Sequence, residues 1–153
     1  MTHVDQRGSL QLGAVLPGTH ILIVDSDRRV GISLAFMLSA RGYREVRTVR
    51  SAARAIAIAE NFRPGIVFLD FELPDMAALD LANRLHRGAR QHAMRLIALT
   101  TNIEHSKREA ARIAGFERFL VKPLAQSELD KVLRTPADSA ASSHSQPIEQ
   151  RTP

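Results

Sequence analysis

Short apolar runs alternate along this chain with stretches of helical periodicity, and this alternation restricts the fold more than any other feature. The apolar runs lie at 20–24, 66–69, 94–99 and 118–121, and residues 45–49 form a weaker strand pattern. The helical stretches lie at 28–41, 51–62, 77–87, 104–114 and 125–134. Apolar strands that alternate with helices predict a parallel sheet with helices on both faces. With right-handed crossovers, the result is an α/β, doubly wound, five-stranded sheet in which a βα unit occurs five times.

Turn and cap residues support these boundaries. Ser51 is a suitable N-cap for the second helix. Gly42 and Gly115 follow the first and fourth helices, where glycine ends a helix most easily. Pro64 and Gly65 interrupt the chain before the third strand.

The length of 153 residues fits one domain with tails. We expect a flexible N-terminal extension at 1–18, a domain at 19–135 and a disordered tail at 136–153. That tail is rich in Ser, Ala and Pro, and Ile148 is its one large aliphatic residue. Such a composition buries too little apolar area to offset the entropy lost on ordering.

Composition and charge exclude several functional classes. The chain has no cysteine, which excludes disulfides and thiolate zinc sites, and its six histidines show no metal-ligand spacing. No apolar run approaches the ~20 residues that span a bilayer, and no secretory signal is evident, so we expect a cytoplasmic protein. Residues 19–135 carry 19 basic and 13 acidic side chains, net +6. Without a dense basic run or interleaved aromatics, nucleic-acid binding ranks as the last alternative.

The polar residues that end the predicted strands belong together, because the carboxyl ends of parallel strands meet at one edge of a sheet. They are Asp25, Ser26, Asp27, Asp70, Thr100, Thr101 and Lys122. Neighbouring carboxylates need a cation to stay ionised, and Mg²⁺ suits an all-oxygen site that leaves room for phosphate oxygens. A lysine and a threonine add positive charge and a hydrogen bond. This combination of carboxylates, a divalent cation, a lysine and a threonine is suited to the transfer of a phosphoryl group to a carboxylate.

At this point the chain resembles a known family, the receiver domain of bacterial two-component response regulators. The matching segments are Ile21–Asp25, Ile66–Asp70 with Leu73–Met76, Leu96–Thr100 and Phe119–Pro123. Asp70 lies 45 residues after Asp25, Thr100 lies 30 residues after Asp70, and Lys122 lies 22 residues after Thr100. These intervals agree with the family layout. The resemblance covers about 19–134 and implies a flavodoxin-like fold.

The resemblance also implies roles for single residues. Asp70 would accept a phosphoryl group from a sensor histidine kinase or a phosphotransfer protein. Asp25, Asp70 and the backbone carbonyl of Glu72 would hold Mg²⁺. Thr100 and Lys122 would contact the phosphoryl oxygens. The protein would then be a self-catalysed phosphoacceptor and not a conventional enzyme.

Further implications concern signal output. A cis peptide would precede Pro123, and Phe119 occupies the family's switch aromatic position. A downstream protein would contact a surface at about 104–134. Because the tail at 136–153 is too short and polar to form an output domain, we expect a stand-alone regulator. The oligomeric state is left open, with a homodimer as one alternative.

The chain departs from the family pattern at three places. Ser26 stands where the family has a second acidic metal ligand; Asp27 either turns inward to compensate or marks the start of a helix. Ala77 and Ala78 replace a common Asp-Gly pair, so the loop either strains or takes another path. Glu72 adds a carboxylate that either helps to bind the metal or repels the phosphoryl group.

These departures motivate a second hypothesis: a receiver-like, protein-binding module with weak or no phosphorylation, because of Ser26 and Ala78. Another alternative is a dehalogenase-type phosphatase, whose Asp-x-Asp opening Asp25 and Asp27 match. The basic residues at 28–29 do not supply the hydrophobic continuation of that motif, so we disfavour it.

Overall fold

The computed structural model describes residues 15–89, 92–102 and 104–134. All five predicted strands and all five predicted helices occur in the predicted order. The elements are β1 (Ile21–Val24), α1 (Arg28–Ala40), β2 (Val46–Val49), α2 (Ala52–Phe62), β3 (Ile66–Asp70), α3 (Ala78–Gly88), β4 (Arg95–Thr100), α4 (His105–Ile113), β5 (Phe116–Val121) and α5 (Gln126–Arg134). Most bounds lie within one residue of the expectation, and β5 begins two residues earlier than predicted.

The strands form one parallel sheet in the order β2-β1-β3-β4-β5. Ile21 of β1 lies between Val46 of β2 and Ile66 of β3. The direction of the strand order reverses around β1 and β3, which leaves a crevice at their carboxyl ends. The doubly wound α/β fold is therefore confirmed.

Two apolar layers cover the sheet, one on each face. Successive strand residues point to opposite faces, so Leu22 and Val67 join one cluster with α2 and α3. Ile23 and Phe68 join the other with α1 and α5. All residues of β1 and β3 are buried. Burial on both faces explains why these strands are apolar up to Asp70, the last residue of β3, and do not alternate with polar residues.

The helix ends follow the predicted cap signals in part. The Ser51 side chain accepts a hydrogen bond from the Arg54 backbone N–H at 3.2 Å, as expected of the N-cap of α2. Gly42 and Gly115 have positive φ angles of 93° and 107°. At the end of α2, Arg63 adopts a left-handed conformation with φ 52° and ψ 65°. This conformation favours glycine, so arginine carries a backbone cost there.

A second cap for α2 comes from a distant loop. The Asp75 carboxylate accepts hydrogen bonds from the backbone N–H groups of Ala52 at 3.0 Å and Ala53 at 3.2 Å. The hydrogen bond from Ala52 is the main cause that lowers the pKa of Asp75. The loop after β3 is thereby tied to the start of α2.

The chain before β1 contacts the last helix. The Val15 side chain is buried among residues of the α1 and α5 layer. Its N–H donates to the Leu133 carbonyl at 2.9 Å, and the Tyr43 hydroxyl donates to the Val15 carbonyl at 2.8 Å. Residues 1–14 of the expected extension and the expected tail at 136–153 lie outside the described residues. None of the helices in the described part has the length and apolarity needed to cross a bilayer.

Candidate functional site

Three polar residues are buried at one rim of the sheet. Asp25 follows β1, Asp70 ends β3 and Thr100 ends β4, and each is at most 2% exposed. Burial of two carboxylates at the same rim is unfavourable unless a positive charge is near. The topology thus brings together three of the residues that the strand-end argument selected, whereas Thr101 is exposed.

Lys122, directly after β5, supplies that charge. Its ammonium Nζ lies 2.9 Å from Asp25 Oδ2 and 3.3 Å from Asp70 Oδ1. Burial opposes the protonated ammonium, but the contacts with Asp25 and Asp70 outweigh it and raise the pKa of Lys122. Burial likewise raises the pKa of Asp25 above its ordinary value, although Lys122 opposes this change. The lysine therefore remains charged between two carboxylates.

Backbone groups hold the Asp70 carboxylate in place. The Glu72 N–H donates to Oδ1 at 2.9 Å, and the Ser26 N–H and hydroxyl approach Oδ2 at 3.4 Å. The Asp27 N–H donates to Asp25 Oδ1 at 2.8 Å. Each carboxylate thus accepts a hydrogen bond from a backbone N–H of the loop that follows its own strand. Asp70 is also contacted by Ser26 in the loop after β1.

In the loop after β1, the side chains of Ser26 and Asp27 point to different partners. Asp27 is the N-cap of α1: its carboxylate accepts from the Arg29 N–H at 2.9 Å and pairs with the Arg29 guanidinium at 3.3 Å. Its side chain is 41% exposed, and the contact with Arg29 lowers its pKa. Of the two alternatives, the structure places Asp27 at the start of a helix, while the Ser26 side chain reaches Asp70.

The Ala77-Ala78 segment takes another path. Ala77 has φ −64° and ψ 139°, and Ala78 begins α3 with its side chain buried. Among the non-glycine residues of the described ranges, Arg63 alone has a positive φ. The missing glycine therefore causes no backbone strain in this loop.

The Glu72 side chain contacts Thr100, which the sequence did not indicate. Thr100 Oγ1 lies 3.0 Å from Glu72 Oε2 and 2.9 Å from the Asn102 carbonyl oxygen. The Thr100 hydroxyl at this rim is thus already engaged. The sequence shows an acidic residue, Glu72, two positions after Asp70, but it does not show where the Glu72 side chain points.

The expected switch elements lie beside this rim. The peptide bond between Lys122 and Pro123 is cis. Phe119 is half-buried; its ring centroid lies 5.9 Å from that of Phe71, and the Arg108 guanidinium carbon lies 5.5 Å from the ring centre. Phe119 therefore links β5 to α4 and to the loop after β3.

The donor set at the rim fits a hard divalent cation. Asp25 Oδ2 is buried, and among the described residues its close partner is the Lys122 ammonium, 2.9 Å away. Mg²⁺ is commonly held by one or two carboxylates with waters and phosphate oxygens, and Asp25 and Asp70 supply that number. No group of three or more acidic or histidine side chains suited to a metal occurs within 15–89, 92–102 and 104–134. A carbonyl oxygen such as that of Glu72 would have to complete the site.

Known proteins resemble this chain over the same region. Two Mycobacterium tuberculosis proteins match. Transcriptional regulatory protein PdtaR is 29% identical over 109 residues, which cover 71% of this chain and 52% of that protein. Transcriptional regulatory protein KdpE is 30% identical over 132 residues, which cover 85% of this chain and 57% of that protein. This chain spans about half the length of these relatives. A 14.6 kDa Leptolyngbya boryana protein is 30% identical over 114 residues, 74% of this chain and 86% of that protein.

Solved structures share the fold. A CheY-like receiver domain protein from Methanospirillum hungatei superimposes with a TM-score of 0.71 at 25% identity, covering 82% of this chain and 98% of that one. The Vibrio cholerae chemotaxis protein CheY4 gives a TM-score of 0.69 at 24% identity, covering 76% and 97%. The family model of the response regulator receiver domain matches residues 21–134, from the first residue of β1 to the last residue of α5. This chain therefore belongs to the response regulator receiver domain family.

Proposed function

We propose that this receiver domain accepts a phosphoryl group on Asp70, with Mg²⁺ bound at Asp25, Asp70 and the Glu72 carbonyl. One observation carries the proposal. The Lys122 ammonium lies between two buried carboxylates, 2.9 Å from Asp25 and 3.3 Å from Asp70, on a rim that also carries the Thr100 hydroxyl. A charged lysine held against an acceptor carboxylate is suited to stabilise an incoming phosphoryl group.

In the transfer, an Asp70 carboxylate oxygen attacks the phosphorus of a phosphohistidine. The new O–P bond forms as the N–P bond breaks, and the bonding electron pair returns to the histidine ring nitrogen. Charge builds on the equatorial phosphoryl oxygens, and Lys122 and Thr100 would interact with that charge. A divalent cation, when bound, neutralises part of the same charge.

The donor would be a sensor histidine kinase or a phosphotransfer protein, and the output would be a protein contact. The surface from α4 to α5, about 104–134, suits the second role. It exposes Ile113 and Val121, which are 74% and 48% exposed, and it also carries the half-buried Phe119. A phosphoryl group on Asp70 would bias this face through Thr100 and Phe119.

Intact-mass measurement tests the acceptor directly. The full chain is incubated with acetyl phosphate and Mg²⁺, and we expect a mass increase of one phosphoryl group. Asp70→Asn should remove the adduct, because an amide oxygen cannot form the acyl phosphate. Asp80→Asn, at an exposed aspartate of α3, is the matched control and should keep it. An adduct that persists in Asp70→Asn would refute the site.

A second candidate function is a binding module with weak or no phosphorylation. Three observations favour it: Ser26 replaces a carboxylate, Asp27 caps α1 and does not compensate, and Glu72 engages the Thr100 hydroxyl. The same mass experiment separates the two functions. A wild-type chain that gains no phosphoryl group at saturating donor and Mg²⁺ supports the binding module.

A further inference from the structure

A cleft of about 910 Å³ lies between the open edge of the sheet at β2 and the helix α2. Its lining contains none of the residues assigned to phosphoryl transfer, Asp25, Asp70, Thr100 and Lys122. Val49, Ile58 and Phe62 contribute apolar surface to its lining. A concave site of this size with an apolar lining is typical of binding sites in proteins.

Three arginines line the same cleft: Arg47, Arg50 and Arg54. Arg50 donates from Nε to the Ser26 carbonyl at 3.3 Å. Arg47 and Arg54 form no ion pair with any residue that the structure describes, and Glu45 is the one acidic side chain in the lining. The cleft is therefore net positive and carries guanidinium groups that can bind carboxylates in bidentate geometry.

Aromatic contacts fix one of these arginines. The Arg47 guanidinium carbon lies 4.7 Å from the centre of the Phe62 ring, and the His20 ring stacks on Phe62 at 4.7 Å between centroids. Since Phe62 is only 6% exposed, its ring offers no platform for a nucleobase. The stacking limits the motion of Arg47, so less entropy is lost when its N–H groups bind an anion.

In the part of the chain that the structure describes, the strand beside the cleft has an unpaired edge. There β2 pairs with β1 alone, and the carbonyls of Glu45 and Val49 accept hydrogen bonds from Ile21 and Asp25. Because the polar groups of successive strand residues face opposite edges, those of Val46 and Thr48 face the open side. An extended peptide can add to such an edge by main-chain hydrogen bonds, with its side chains in an adjacent groove.

We propose that the β2–α2 cleft is a docking site for an extended acidic peptide segment of a partner protein. The segment would pair with the outward backbone groups of Val46 and Thr48. Its carboxylates would meet Arg47 and Arg54, and its apolar side chains would cover Val49 and the neighbouring apolar lining. Each part of the cleft thus recognises a different feature of one occupant. The proposal is independent of phosphorylation at Asp70.

The test uses the ¹⁵N-labelled full chain and a blocked peptide of about eight alternating Glu and Val residues, long enough to span the strand. Backbone amide shifts are followed by NMR as the peptide is added. We expect saturable shifts at Val46, Thr48 and the adjoining face of α2. A peptide of the same length with Lys in place of Glu should leave these amides unshifted.

Substitutions separate the charge from the strand edge. Arg54→Ala should weaken binding about tenfold, the usual scale for loss of a charged contact. Arg87→Ala, at an exposed arginine of α3, should leave the affinity unchanged. Thr48→Pro keeps every arginine but removes one outward N–H, and proline is tolerated at such an edge. It should abolish the shifts while the rest of the amide spectrum shows an intact fold.

Four results would overturn the proposal. The first is the absence of saturable shifts at β2 with the acidic peptide. The second is equal binding by the Glu and Lys peptides, and the third is unchanged affinity in Arg54→Ala. The fourth is a stronger effect of mixed-sequence duplex DNA on the same amides at equal salt, which would assign the surface to a nucleic acid.

Discussion

Thr100 and Glu72 share a hydrogen bond, with 3.0 Å between Oγ1 of the threonine and Oε2 of the glutamate. The Thr100 oxygen also lies 2.9 Å from the Asn102 carbonyl. A hydroxyl has one hydrogen to donate, so the two acceptors compete for it. A phosphoryl oxygen on Asp70 would be a third competitor. The Glu72 carboxylate therefore opposes the engagement of Thr100 by a phosphoryl group.

Removal of the Glu72 carboxylate should accelerate phosphorylation. In Glu72→Ala, one of the two acceptors that compete for the Thr100 hydroxyl is removed, and one negative charge near the incoming phosphate is absent. We expect uptake from acetyl phosphate to be roughly 2–10 times faster, the scale of about 0.4–1.4 kcal/mol. The measurement is the initial rate of adduct formation by intact mass.

Glu72→Gln isolates the charge, because it keeps the size of the side chain. Glu104→Ala, at an exposed acidic residue before α4, is the control and should leave the rate unchanged. Slower uptake in Glu72→Ala would contradict the competition and would indicate that the carboxylate helps to hold the cation.

A carboxylate at position 26 should strengthen Mg²⁺ binding. The Ser26 side chain approaches Asp70 Oδ2 at 3.4 Å, so an aspartate there would add a third carboxylate to the rim. For Ser26→Asp we expect Mg²⁺ affinity to rise by at least about tenfold. Calorimetric titration of the apo chain with Mg²⁺ measures it.

The matched variant is Asp27→Asn, since asparagine also caps helices. Asp27 pairs with Arg29 and does not reach the rim, so the Mg²⁺ affinity should stay as in the wild type. A large loss of affinity in Asp27→Asn would show that this carboxylate serves the metal after all.

Stability should depend on pH through Asp25. Burial raises its pKa above the ordinary 3.8, so the folded chain holds this proton more tightly than the unfolded chain. The resulting stabilisation is complete below pH 3.8 and is lost as the pH rises through the raised pKa. Asp25→Asn has no such proton, and Lys122 keeps Asp70 as its counter-charge. The free energy of unfolding of Asp25→Asn, minus that of the wild type, should therefore increase as the pH rises from 3.8 toward neutral.

Urea unfolding at several pH values, without divalent cations, measures this difference. Addition of Mg²⁺ at neutral pH should reduce it, because the cation compensates the buried carboxylate of the wild type. A difference that shrinks as the pH rises would contradict the assignment of Asp25 as a carboxylate that is costly to ionise.

The left-handed end of α2 offers a stabilising substitution. Arg63 has φ 52°, a conformation that costs a non-glycine residue about 1–2 kcal/mol. Arg63→Gly removes this cost, but the greater conformational freedom of glycine in the unfolded chain offsets part of the gain. The substitution should therefore stabilise the protein by about 0.5–1 kcal/mol. Arg84→Gly, at an exposed position inside α3, should instead destabilise by about 1 kcal/mol. Denaturant unfolding compares them, and equal destabilisation by both would contradict the strain at Arg63.

The strand-end residues were predictable because a parallel sheet leaves little freedom at its carboxyl edge. Once the apolar runs ending at Asp25 and Asp70 are assigned to neighbouring strands, their carboxylates must share a rim. Thr100 and Lys122 follow by the same argument. The helices were predictable from their apolar stripes and from caps such as Ser51.

Several contacts could not be read from the chain because they depend on loop direction. Asp27 is suited both to bind a metal and to cap a helix, and the turn after β1 decides between these roles. Asp75 could cap any nearby helix, and the fold brings it to Ala52 and Ala53 of α2. The burial of Val15 against α5 likewise needs the position of a distant helix.

By itself, the sequence determined the layered α/β architecture and the set of polar residues at the carboxyl ends of the strands, since hydrophobic periodicity and strand polarity are local properties of the chain. Only the tertiary structure decided how the polar side chains pair: Lys122 with two carboxylates, Thr100 with Glu72, and Asp27 with Arg29. It also decided that Arg47 and Arg54 line one cleft. Hydrogen bonds and ion pairs act over a few ångströms, and the distances between residues far apart in the chain are set by packing.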